Sequence, residues 1–308
     1  MSDISVYGEG LIKNYGKTEA LRGISFSVNK GEIFGFIGPD GAGKTTLFRI
    51  LTTLLLPDAG HATVEGYHVV KDFRHLRTIL GYMPGRFSLY QDLTVEENLK
   101  FFAGIFKADI SENYYLIKDI YDQIAPFAKR RAGKLSGGMK QKLALSCALI
   151  HKPEVLILDE PTTGVDAVSR REFWEMLIRL KNQGITILVA TPYMDEAILC
   201  DRVALMQHGN IMASGTPDQI IASYPHRLFS IKSDQTLELL SLIRQMTGIH
   251  SAEMFGGNIH VSASNALTGI KEIEDFLRCH DFRHFELEEI SPGIEDCFID
   301  FMKMNQAS

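Results

Sequence analysis

Apolar positions along this chain follow two periods. In Ile24-Ser25-Phe26-Ser27-Val28 every second side chain is apolar, the spacing of a half-buried strand, and Asn29-Lys30-Gly31 supplies a turn after it. Residues 1–35 therefore read as short strands, ending in the continuous apolar run 33–37. Past a glycine-rich loop, Leu47, Ile50, Leu51 and Leu54 recur at helical spacing, which predicts a helix over 45–55 stopped by Pro57-Asp58-Ala59-Gly60. Helical spacing returns in Leu99, Phe102 and Phe106 and again in Tyr114, Ile117, Ile120 and Tyr121, so 94–124 predicts an all-helical insert closing near Gly133. Residues 155–158 and 185–190 are uniformly apolar and rich in β-branched side chains, as central parallel strands covered on both faces are. A helix around 170–180 is the crossover between them. After Gly215-Thr216-Pro217 the pattern shortens to strands at 228–232 and 258–262 and a helix at 266–279. The expected organisation is an α/β domain over 1–220, with a helical subdomain at about 86–135, and a small accessory α+β domain over 221–308.

Composition narrows the class without naming a chemistry. With 308 residues, 45% hydrophobic and 23% charged, the chain has ordinary globular usage and enough length for a main domain and an appendage. A net charge of −6 does not suggest nucleic acid, whose phosphate backbone is bound by clustered Lys and Arg, so no nucleic-acid partner is expected. Cys147, Cys200, Cys279 and Cys297 are far apart with no CxxC pair, which predicts buried free thiols rather than a zinc or redox motif. The start has no apolar signal region and no run is long enough to cross a bilayer. The expectation is a chain neither secreted nor membrane-spanning, so that any membrane role needs a partner with spanning helices.

Chemistry enters at Gly38-Pro39-Asp40-Gly41-Ala42-Gly43-Lys44-Thr45, a G-x-x-x-x-G-K-[ST] pattern lying between a predicted buried strand and a helix. Glycines there let backbone N–H groups curl around phosphate oxygens, and the helix N-terminus adds the positive end of its dipole. Lys44 would reach the β- and γ-phosphates, and the Thr45 hydroxyl would meet Mg²⁺. In Val155-Leu156-Ile157-Leu158-Asp159-Glu160 two acids stand at the end of a buried strand, where doubly wound sheets carry their ligands. Asp159 suits a Mg²⁺ shell, and Glu160 suits the catalytic base that polarises water.

Leu135-Ser136-Gly137-Gly138-Met139-Lys140-Gln141 resembles the LSGGQ signature of ABC ATPases, and the resemblance covers residues 1 to about 225. It implies a P-loop NTPase fold of the ABC nucleotide-binding type with ATP and Mg²⁺ as cofactors. Tyr15 matches the aromatic residue that stacks on adenine, Asp166 in Gly164-Val165-Asp166 matches the D-loop, and Thr46 joins the nucleotide contacts. In that family Ser136, Gly137 and Gly138 of one subunit would cap the nucleotide of another, so the implied partners are a second ATP-binding subunit, the same or different, and a membrane permease. The implied location is cytoplasmic, peripheral at the inner face of the cell membrane.

Two positions depart from the family pattern. Gly85, in Gly81-Tyr82-Met83-Pro84-Gly85-Arg86-Phe87-Ser88, stands where a Q-loop glutamine is usual, and Pro192, in Thr191-Pro192-Tyr193-Met194-Asp195-Glu196, where a switch histidine is usual. Neither side chain orients water, so hydrolysis is expected to be slow while binding survives, with Thr191 or Tyr193 standing in for part of the missing group. The Ile-Ser-Pro-x-Ile-Glu-Asp-x-Phe pattern at 290–298 resembles the C-terminal segment of ATPases serving ABC-2-type and drug-efflux exporters. So does Phe87-Ser88-Leu89-Tyr90, which with the helical insert would receive a permease coupling helix. The expected function is the ATP-binding subunit of such an exporter. Alternatives are a catalytically weak regulatory subunit beside a complete ATPase, or a soluble ABC ATPase outside transport.

Overall fold

The computed structural model describes residues 3–86, 88–264 and 268–306; Phe87 and Ala266, which figure in the expectations above, lie outside them. The chain forms two compact units, one running to Asp218 and taking up the chain again from Phe301, the other spanning Gln219–Asp300.

The first unit opens on a hairpin of β1 (Ile4–Tyr15) and β2 (Thr18–Asn29), followed by β3 (Ile33–Ile37), α1 (Lys44–Leu51), β4 (Ala59–Val64), β5 (Tyr67–His68), α2 (Phe73–Ile79) and β6 (Leu80–Met83). Helices α3 (Val95–Phe106), α4 (Ile110–Tyr121) and α5 (Gly137–Leu149) come next, then β7 (Val155–Asp159), α6 (Ala167–Asn182), β8 (Thr186–Thr191), β9 (Arg202–Gln207) and β10 (Asn210–Gly215). Two sheets result. One is antiparallel in the order β2-β1-β4-β5; the other runs β10-β9-β3-β8-β7-β6 and is parallel except for its edge strand β10.

Every residue of β3, β7 and β8 is buried, as strands covered on both faces require. Between the sheets lies an aromatic core: Phe36 meets Phe26 edge-on at 5.1 Å and Phe48 of α1 at 5.6 Å. Such edge-to-face pairs contribute about 0.5–1.5 kcal/mol each beyond their burial. They also fix the start of α1, and with it the loop that precedes it.

Three expectations are corrected here. Residues 4–29 form two strands of 12 residues each rather than several short ones, because register shifts around Gly8–Leu11 bend one long hairpin instead of breaking it. Helix α1 stops at Leu51, short of 55: the Thr52 hydroxyl bonds back to the Phe48 carbonyl at 2.7 Å, Thr53 turns left-handed at φ 62°, and Leu54 points to solvent. Cys147, Cys200 and Cys297 are buried free thiols, as expected, but Cys279 is exposed.

The remaining elements are α7 (Pro217–Ala222), β11 (Arg227–Lys232), α8 (Thr236–Ile243), β12 (Ile249–Phe255), β13 (Asn258–Ala263), α9 (Ile270–Cys279), β14 (Glu286–Ile290) and α10 (Ile294–Gln306). Strands β12-β13-β11-β14 make an antiparallel sheet. Phe229, Ile231, Ile259 and Val261 on one face pack with Leu239, Ile243, Ile273 and Leu277 of α8 and α9.

Candidate functional site

Strand register brings the chemical groups to one edge of the parallel sheet. Ile37 lies opposite Thr191, Ala190 opposite Asp159, and Leu158 opposite Met83. The loop after β3, the two acids ending β7, Pro192 after β8 and Pro84-Gly85 after β6 therefore leave the sheet side by side.

The loop after β3 is held by backbone hydrogen bonds: Gly38 N–H donates to Thr191 O at the end of β8 at 3.2 Å, and within the loop Ala42 N–H donates to Pro39 O at 3.2 Å. A Cβ on Gly38 would sit 2.1 Å from Met206 O, and one on Gly43, at φ 106°, 2.5 Å from Ala20 O. Those two positions admit glycine alone. Pro39, Asp40 and Gly41 are exposed at the rim, while Ala42 is buried against the core and Thr46 is half-buried on α1.

Lys44 is almost fully buried and curls back over the loop, its Nζ donating to Gly38 O at 2.6 Å and Pro39 O at 2.9 Å, with Glu160 3.9 Å away. Burial lowers its pKa, while Glu160, Asp40 and Asp159 pull the other way. Thr45 Oγ1 donates to Asp159 Oδ1 at 3.1 Å. Burial raises the Asp159 pKa against that hydrogen bond, and it drives the neighbouring Tyr82 phenol up to about 12, with Asp159 adding to the effect. A hydroxyl and a buried carboxylate side by side form the hard-oxygen donor set that Mg²⁺ takes.

Glu160 follows in a left-handed conformation (φ 51°), its N–H donating to Ala190 O at 2.8 Å and its side chain partly open to solvent. Gly85 lies beside it: a Cβ there would be 3.1 Å from Asp159 O and 3.7 Å from Glu160 Cβ. A cavity of about 160 Å³ lies here, lined by Gly85, Gly137, Gln141, Glu160, Thr163 and Val165 among others. Neither candidate substitute for the missing histidine is free. The fully buried Thr191 accepts from Tyr193 N–H at 3.1 Å, and the Tyr193 ring carries the Arg170 guanidinium 4.2 Å from its centre.

Ser136 caps α5, its Oγ accepting from Met139 N–H at 3.4 Å, and a Cβ on Gly138 would stand 3.1 Å from Ser169 Oγ. Asp166 caps α6 through Val168 and Ser169 N–H. Among the described residues no hydrogen bond or ion pair joins Ser136, Gly137 or Gly138 to the loop 38–46. Tyr15, at the end of β1, is 46% exposed and offers its ring to solvent.

Two features were not singled out from sequence. Glu196, which ends the segment 191–196 but was given no role from sequence, is buried and accepts from Thr162 Oγ1 at 2.7 Å, with Arg170 Nε at 3.7 Å, and so ties the segment after β7 to that after β8. An apolar cavity of about 390 Å³ lies beside the insert, with Leu80, Tyr82, Pro84, Leu89, Phe102 and Phe106 in its walls.

Comparison with known proteins matches residues 21–163 to the ABC transporter family. The chain is 36% identical to the probable multidrug ABC transporter ATP-binding protein YbhF of Escherichia coli (strain K12), over 98% of this chain and 53% of that protein, so it spans about half the length of that relative. It is 38% identical to the doxorubicin resistance ATP-binding protein DrrA of Mycobacterium tuberculosis (strain ATCC 25618 / H37Rv), over 96% of this chain and 93% of that one. In solved structures, the fold is similar to cbiO1 from Clostridium perfringens, part of the ABC transporter complex cbiONQ, with a TM-score of 0.64 and 28% identity over 72% of this chain and 92% of that chain. The chain belongs to the ABC transporter family and carries its ATP-binding cassette.

Proposed function

We propose that this chain is the ATP-binding and ATP-hydrolysing component of an ABC exporter, acting as one half of a nucleotide-sandwiching dimer beneath a membrane permease. The observation that carries the reading is the Thr45–Asp159 contact of 3.1 Å beside the closed loop around Lys44. The amides of 38–45 and Lys44 would hold the phosphates, Tyr15 would stack on the base, Thr46 would add a contact, and Thr45 and Asp159 would hold Mg²⁺. When bound, that ion would supply positive charge against the phosphates. Glu160 accepts a proton from the attacking water. Its left-handed backbone turns the carboxylate out of the strand, toward the space beside Gly85.

Lys44 must leave Gly38 O and Pro39 O to meet phosphate. Two hydrogen bonds to neutral carbonyls are exchanged for charge-assisted ones, which are roughly twice as strong. Among the described residues Ser136, Gly137 and Gly138 make no hydrogen bond or ion pair with the chain's own phosphate loop, which supports their use on a nucleotide held by a second subunit, as does the exposed cap Asp166. The apolar cavity beside the insert supports a docking role for a permease helix. The relatives' names, multidrug and doxorubicin resistance, support export as the direction.

Gly85 and Pro192 favour slow turnover and sustain a second reading, a regulatory subunit paired with a complete ATPase. ATP turnover by the purified complex decides between them. Glu160→Gln is expected to lower it about a hundredfold or more, and the Gly85→Gln, Pro192→His double variant to raise it. Turnover unchanged in Glu160→Gln assigns hydrolysis to the other subunit.

A further inference from the structure

The unit Gln219–Asp300 carries a side-chain cluster with no part in the nucleotide site. One face of its sheet is apolar and covered by α8 and α9; the other carries polar groups toward α10. Asp296 and Asp300, one helical turn apart on α10, both face that polar side, and the two are satisfied differently. Asp296 is closed: Oδ1 meets His260 Nδ1 at 2.7 Å and Oδ2 accepts from Gly293 N–H at 2.8 Å. Asp300 is nearly fully buried and directs one oxygen, Oδ1, at two imidazoles, His250 Nε2 at 3.0 Å and His226 Nε2 at 3.5 Å. His226 Nε2 is shielded from solvent and makes no hydrogen bond among the described residues.

We propose that His226, His250 and Asp300 form a binding site for one divalent transition-metal ion, zinc by preference, which clamps α10 to β12 and to the residue before β11. Three observations converge on it. The three ligand atoms lie within 4.8 Å of one another. Donors about 2.0–2.1 Å from a tetrahedral zinc are about 3.3 Å apart, between the 3.0 and 3.5 Å that separate Asp300 Oδ1 from the two ring nitrogens. A single carboxylate oxygen shared by two imidazoles leaves one ring nitrogen orphaned, whereas a cation at their centre satisfies all three at once.

The backbone also places the ligands. Ile249 pairs with Ala263 and Ser251 with Ser262, so His250 is the extra residue of a β-bulge, a device that re-aims a side chain out of strand alternation. It brings the His250 ring onto that of His226, with centroids 4.1 Å apart. Imidazole and carboxylate donors suit zinc over the oxygen-only preference of Mg²⁺. His250 is the most exposed of the three ligands, which gives an ion an entry path and leaves room for a water as the fourth ligand.

The test is titration of the purified full-length protein with Zn²⁺ alone, by calorimetry, in excess Mg²⁺ to occupy oxygen-only sites. One zinc per chain is expected. His226→Ala and His250→Ala should each weaken binding by at least about tenfold, and His250→Gln, which keeps a hydrogen-bonding group against Asp300, should weaken it as much while preserving the circular dichroism spectrum. Absence of saturable uptake overturns the proposal, and so does uptake of the same affinity in these variants. Should the variants not fold, Co²⁺ added to the unaltered protein still decides: the visible bands of a tetrahedral nitrogen–oxygen site support the assignment. An octahedral spectrum, or thiolate charge transfer to the exposed Cys279, overturns it.

Discussion

Asp159 is the residue on which binding and stability pull against each other. Its carboxylate is buried, and its pKa is raised above the ordinary value despite the Thr45 hydrogen bond. The unfolded chain therefore ionises at lower pH than the folded one. Between about 3.9 and the raised native value, the folded state binds the extra proton, so stability falls as pH climbs through that window. A divalent cation reverses the preference, because it takes the ionised form. The carboxylates of Asp58, Asp109 and Asp166, held below their ordinary values by hydrogen bonds, add the opposite slope, so the Asp159 contribution is read as the difference between the native chain and Asp159→Asn in denaturant unfolding across acid pH. That difference should fall as pH climbs without Mg²⁺ and nucleotide and shrink with them present. An unaltered profile in that variant would show that Asp159 is not the titrating group.

Capping decides where the helices of the insert begin, and its loss should be felt locally. Thr94 starts α3 with a complete capping box: its side chain accepts from Glu97 N–H at 3.2 Å while Glu97 Oε2 accepts from Thr94 N–H at 2.8 Å. Thr94→Ala should cost about 1 kcal/mol, with amide exchange quickening in the first turn of α3 and unchanged in β3, β7 and β8.

This is the scale at which the sequence was most readable. β3 and β7 were visible because each couples a strong apolar run to a functional turn. The long hairpin of β1 and β2 was misjudged because bulges around Gly8–Leu11 break the period of two without ending the strand. The early end of α1 was hidden because Leu54 keeps helical spacing after Thr53 has left the helix. His226, His250 and Asp300 had no sequence signal at all: they come from a loop, a bulge and a helix far apart in the chain, and their meeting depends on the fold of β11, β12 and β13.

At the scale of the whole molecule, the groups proposed to hold nucleotide divide into two sets that no hydrogen bond or ion pair joins among the described residues. Lys44, Thr45, Asp159 and Glu160 gather at the end of the parallel sheet, while Ser136–Gly138 head a different helix. If the two sets act on one nucleotide, they must come from two chains, and association must then depend on the nucleotide. Glu160→Gln protein should be monomeric without nucleotide, dimeric with ATP and Mg²⁺, and monomeric again with ADP, as read by light scattering. Ser136→Arg placed in that background should abolish the ATP-dependent dimer yet leave binding of ATP to the monomer within about threefold, since a residue used only across the interface contributes nothing before association. Loss of monomer binding in Ser136→Arg would instead place the signature and the phosphate loop on the same nucleotide within one chain. A dimer of equal stability with and without ATP would separate assembly from nucleotide altogether. The first outcome requires that closure follow binding, and under the proposed function it would make the free energy of ATP binding the source of the force on a permease, independent of the rate of the chemical step.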